Sequence, residues 1–158
     1  MKIQTLGLAV SLVAIGAWSV PAHPAPAAPQ AVRYEAHMNG ASETPANTSA
    51  ATGSATFVLT GHRLRYTVTV IGLSGPATAA HIHVGAAGAS GPPVFSFHVK
   101  KAAAGTLAQG YIDLSKDVSH GVSGDSLKVL LANGDAYVNV HTAAHPGGEI
   151  RGQIEMGK

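Results

Sequence analysis

The chain has 158 residues, of which 10 are Lys or Arg, 8 are Asp or Glu and 9 are His, so imidazole is half as abundant as all formal charge together. At 11% charged residues, against roughly 25% in an average soluble domain, and with 19 Gly and 9 Pro, the composition disfavours a helix-rich enzyme or a charge-dense disordered chain and favours short strands joined by tight turns. Cysteine is absent and the net charge is +2, which excludes disulfides, thiolate metal centres and thiol nucleophiles; no stretch interleaves Lys or Arg with aromatics, so nucleic acid is not an expected partner.

Residues 1–22 carry Lys2, an apolar run from Leu6 to Val20 and small residues up to Ala22, the pattern of a secretory signal peptide. The run is short and is followed closely by Pro21, Pro24, Pro26 and Pro29, so it does not read as a membrane span. Cleavage after Ala22 or after Ala27 is expected, leaving a periplasmic or secreted protein without a membrane association. Residues 23–31 form a Pro/Ala linker. A single domain over residues 32–156 follows, large enough for one hydrophobic core.

Val32, Tyr34, Ala36 and Met38 alternate with Arg33, Glu35 and His37, the period-2 signature of a half-buried strand. Residues 53–60 and 64–70 alternate in the same way around Gly61-His62, which predicts a hairpin. Further strands are predicted at 79–84, 94–99, 110–114, 136–142 and 149–156. Residues 125–132 are the one predicted helix, starting near Asp125 or Ser126 and stopping at Asn133-Gly134. Seven or eight short antiparallel strands with one short helix predict an all-β, Greek-key β-sandwich or barrel.

His81 and His83 lie two apart on a predicted strand, so their imidazoles share a face while Ile82 points the other way. Taken alone, the pair reads equally as two solvated surface histidines. A second strand, Tyr137 to Thr142, puts Asn139 and His141 on one face and Val138 and Val140 on the other, and His145 follows in a Gly/Pro-rich turn. If the two strands are neighbours, His81, His83 and His141 make a three-nitrogen metal site, with His145 a candidate fourth ligand or supporting partner. His37, His98, Glu43 and water are the other candidates for that fourth position, and His62 and His120 read as solvated. An imidazole-only site suits copper, in either oxidation state, ahead of zinc, and disfavours calcium, magnesium and iron–sulfur clusters. The Gly85–Gly91 run lacks the lysine and helix of a phosphate cradle and reads as a tight loop beside the His pair. No serine sits in a nucleophile-elbow pattern.

Ala-His-Ile-His-Val-Gly at 80–85 with Gly91-Pro92-Pro93-Val94, Tyr-Val-Asn-Val-His-Thr at 137–142 and Pro-Gly-Gly-Glu-Ile-Arg-Gly-Gln-Ile at 146–154 resemble the CHRD domain, first described in chordin and widespread in secreted bacterial proteins. The likeness spans residues 32–156; many members carry Asn where this chain has His145. The same motifs are similar to the copper/zinc superoxide dismutase β-sandwich, whose copper ligands would fall on His81, His83 and His141. That family's bridging histidine would fall near Pro93, and its zinc ligands have no counterparts, so the likeness implies a copper-only site. These features lead to the expectation of a CHRD-domain protein that binds one copper ion for storage, delivery or protection. The alternatives are a superoxide dismutase-like copper redox enzyme and a non-metal module that binds another extracellular or periplasmic protein.

Overall fold

The structure is a computed structural model describing residues 29–119 and 121–158; the expected signal peptide, the linker up to residue 28 and His120 lie outside the described residues. The alternation read from the sequence becomes β1 (Val32–Asn39), β2 (Thr52–Thr60) and β3 (Arg63–Ile71). Their inward positions Tyr34, Ala36, Met38, Ala55, Phe57, Leu64, Tyr66, Val68 and Val70 are all buried in the core. Thr60 pairs with Arg63 across the Gly61-His62 turn, as the hairpin expectation requires.

The remaining elements are β4 (Ala77–Val84), β5 (Pro93–Ser96), β6 (Gly105–Asp113), β7 (Asp117–Ser119), β8 (Val122–Ser123), α1 (Gly124–Asn133), β9 (Ala136–Thr142), β10 (Ile150–Gln153) and β11 (Glu155–Met156). Among the described residues, one antiparallel sheet runs in the order β5-β4-β9-β10-β1-β2-β3-β6, with β11 also paired to β1 and a separate β7-β8 ribbon. The β3-to-β4 and β5-to-β6 connections cross between the two halves of this sheet, a Greek-key path. The sheet curls into a half-barrel, so that Tyr66 of β3 packs edge-on against Phe95 and Phe97 from the far end, at ring-centre distances of 5.8 and 4.9 Å. The segment after β5 bridges the two ends: Phe97 N–H donates to Ala80 O, and Lys100 N–H donates to Leu107 O. The all-β sandwich or barrel expectation therefore holds.

Three elements differ from their predicted limits by more than two residues or are divided. The strand predicted at 94–99 stops at Ser96 because the chain leaves β4 to meet β6. The strand predicted at 110–114 begins instead at Gly105: Val68 pairs with Ala108 but Thr69 pairs with Thr106, so Leu107 is the extra residue of a bulge. Leu107 and Ala108 are then both buried, which erases the alternation. The single closing strand predicted at 149–156 is two strands, because β10 ladders onto β9 and β11 onto β1. α1 matches its prediction and gains a cap: Ser126 N–H donates to Ser123 Oγ at 3.1 Å, and Gly134 closes the helix in the left-handed conformation at φ 72°. Among the described residues no helix is long and apolar enough to cross a membrane.

Candidate metal centre

β4 and β9 are adjacent, with His81 opposite Asn139, His83 opposite Tyr137 and Ala79 opposite His141. Opposed residues of an antiparallel pair share a face, so His81, His83, Tyr137, Asn139 and His141 form one polar patch. Ala80, Ile82, Val138 and Val140 fill the core from the other side. This outer face is covered too, and Tyr137 and Asn139 are only 4% exposed. The cover is the 85–91 loop, the 41–49 loop and the turn after β9.

One nitrogen each from His81, His83 and His141 lies within 4.8 Å of the others. His81 Nδ1 and His141 Nε2 are 3.1 Å apart; two nitrogens at that separation, each about 2.0 Å from a shared ion, subtend about 100°. The backbone fixes the tautomers of the other two rings. His83 Nδ1 donates to Gly91 O at 2.9 Å and His141 Nδ1 donates to Pro146 O at 3.0 Å, which leaves each Nε2 unprotonated; that of His141 faces His81 Nδ1. Metal-bound histidines nearly always donate their second nitrogen in this way. His83 Nε2 is buried with no hydrogen-bond partner. Burial holds the imidazoles of His83 and His141 below their ordinary pKa, so both are neutral at pH 7, the form that binds metal.

The two carbonyls that aim these rings are themselves held. A side chain at Gly91 would run into the Val84 carbonyl, so only glycine lets the loop fold back onto His83. Tyr137 OH accepts from Gly91 N–H at 3.3 Å, and Gly85 N–H donates to Asp135 O at 2.8 Å. On the other side, Glu149 anchors the turn that carries Pro146. Its fully buried carboxylate accepts from Thr142 Oγ1 at 2.6 Å, Ser74 Oγ at 2.7 Å, Ser74 N at 2.8 Å and Ser49 Oγ at 2.8 Å.

Both histidine motifs and the closing Pro-Gly-Gly-Glu-Ile-Arg-Gly-Gln-Ile segment fall inside a match to the CHRD domain profile that covers residues 34–154. The chain belongs to the CHRD domain family. Comparison with curated proteins and with solved structures gives no match.

Within this CHRD domain the structure brings together three of the four histidines singled out from the sequence. His145 stays outside the cluster: the backbone pair Thr142 N–H to His145 O and His145 N–H to Thr142 O turns the chain there, and His145 lines a surface pocket with Glu43 and Asn47. The reserve ligands His37 and His98 are exposed and outside the cluster, as is exposed His62, which meets Lys128. Glu43 is also outside the cluster; it is buried, with Oε1 unpartnered. Four supporting residues were not read as such from the sequence: Tyr137, Asn139, Glu149 and Arg151. The Asn139 side-chain amide lies 3.0 Å from His141 Nε2, and the signal for it and for Tyr137 was present, because both share the period-2 face of His141.

Proposed function

We propose that this CHRD-domain protein binds a single copper ion through His81 Nδ1, His83 Nε2 and His141 Nε2, and stores, delivers or sequesters it in the periplasm or outside the cell. The observation that carries the reading is the buried, partnerless Nε2 of His83 beside two further imidazoles. An unsatisfied buried acceptor costs about 1–3 kcal/mol, and a metal ion would satisfy it. The all-imidazole donor set without a carboxylate suits copper, and divalent copper outranks zinc at such ligands. Bound copper supplies reversible one-electron chemistry; the chain's own residues hold His83 and His141 neutral and aimed. The signal-like sequence of residues 1–22 supports the extracytoplasmic location.

Titration of the apoprotein with Cu(I), Cu(II) and Zn(II) tests the assignment. One equivalent of copper is expected to bind and to displace zinc, and His81→Ala/His83→Ala/His141→Ala is expected to bind none at the same concentration. Stoichiometric binding that survives in the triple variant would overturn it.

A further inference from the structure

Arg151 is 2% exposed, yet among the described residues it makes no ion pair within 4.0 Å; the described pairs involve other cations. A buried guanidinium is costly unless its donors are used, and the partners of this one share a destination. Its Cζ lies 3.5 Å from the centre of the Tyr137 ring, and the opposite neighbour in the stack is His83, parallel to Tyr137 at 4.9 Å and 12°. Nη2 donates to Ala89 O at 2.7 Å and to Ala86 O at 3.3 Å, inside the loop whose Gly91 carbonyl accepts from His83 Nδ1. Nη1 donates to Thr44 Oγ1 at 3.3 Å. A ring stack and a loop clamp, both starting at Arg151, therefore end on the same imidazole.

We infer that Arg151 is the positioning residue of the metal centre: through Tyr137 and the 85–91 loop it fixes the orientation and tautomer of His83 so that Nε2 is presented to the ion. The inference rests on the copper reading for its consequence, but the effect on His83 exists in the apoprotein. The planar fork is what the geometry uses, since it stacks flat on a ring while its in-plane donors reach two carbonyls, and a lysine ammonium, a compact point charge, cannot do both at once.

The test measures two quantities in wild type, Arg151→Lys, Arg151→Met, Tyr137→Leu and Tyr137→Phe: the His83 tautomer in the apoprotein, by long-range proton–nitrogen NMR of the imidazoles, and copper affinity, by competition with a chelator. Wild type is expected to show one His83 tautomer, protonated at Nδ1. Both Arg151 variants and Tyr137→Leu are expected to mix tautomers and to bind copper at least about tenfold more weakly, the loss usual for a residue that orients a ligand. Tyr137→Phe keeps the stacked ring but loses the hydroxyl that accepts from Gly91 N–H, so its affinity is expected to fall between those of wild type and Tyr137→Leu. A folded Arg151→Met or Arg151→Lys protein with a single Nδ1–H tautomer and unchanged affinity would overturn the inference, as would full rescue by lysine, which would make charge the operative property. Should Arg151→Met fail to fold, Arg151→Lys decides. If wild type binds no copper while the variants still mix the tautomers of His83, the copper reading falls and the positioning role stands.

Discussion

Two buried carboxylates beside the histidine cluster have opposite chemistry, and the difference lies in their donors. Burial resists ionisation of Glu149, but the hydrogen bonds from Thr142, Ser74 and Ser49 outweigh it and hold its pKa below the ordinary 4.5. Its stabilising contribution is therefore complete above about pH 4.5 and is lost as pH falls through the lower folded value. Glu149→Gln removes the charge and one acceptor, with an expected cost of about 2–4 kcal/mol at pH 7, measured by urea denaturation; the variant is also expected to show a shallower decline in stability below pH 4.5 than wild type. Glu43 has no comparable set of donors: burial pushes its carboxyl up to about 7, with the Arg151 charge and the Thr44 backbone pulling against that. The unfolded chain then releases this proton before the folded one does, so stability falls as pH rises from 4.5 to 7, by up to about 3 kcal/mol. Glu43→Gln is expected to flatten the stability profile between pH 5 and 8, and a profile as steep as wild type would show that Glu43 does not titrate in this range.

At the level of elements, period-2 alternation was enough wherever one strand face meets the core and the ladder is regular, as in β1, β2, β3 and β9. It failed where geometry breaks the period. The Leu107 bulge hid the first half of β6, and the change of partner at Ile154, whose N–H donates to Ala136 O, divided the closing strand. The three clustered histidines were legible because a shared strand face is encoded by spacing alone. Their support was not, because Gly91, Arg151 and Glu149 act through loops whose docking depends on contacts with residues 46 to 107 positions away. α1 sits apart from this machinery, packing on β7, β8 and β11, and its capping serine is a purely local device. Ser123→Ala is expected to cost about 1 kcal/mol by thermal or chemical denaturation while leaving copper affinity at the wild-type value; a weakened affinity would mean that the helix helps to set the β9 register.

For the molecule as a whole, the low charge and high Gly and Pro content serve a curled hydrophobic sheet whose outer face over β4 and β9 is polar and covered. The core from Tyr34 to Ile154 is formed by residues that owe nothing to a metal, and the tautomer-setting carbonyls of Gly91 and Pro146 are already in place. In the proposed reading, metal would therefore be a ligand of a folded protein, unlike a zinc finger in which binding and folding are one event. Two consequences can be separated by experiment. The apoprotein is expected to unfold cooperatively, with a far-ultraviolet circular dichroism spectrum that copper leaves unchanged. Copper at a hundredfold excess over its Kd is expected to add about 2.7 kcal/mol to stability, seen as a rise in Tm that a chelator reverses and that His81→Ala/His83→Ala/His141→Ala abolishes. An apoprotein without a cooperative transition would contradict the preformed site, and an unchanged Tm in saturating copper would mean that the ion has no preference for the folded state.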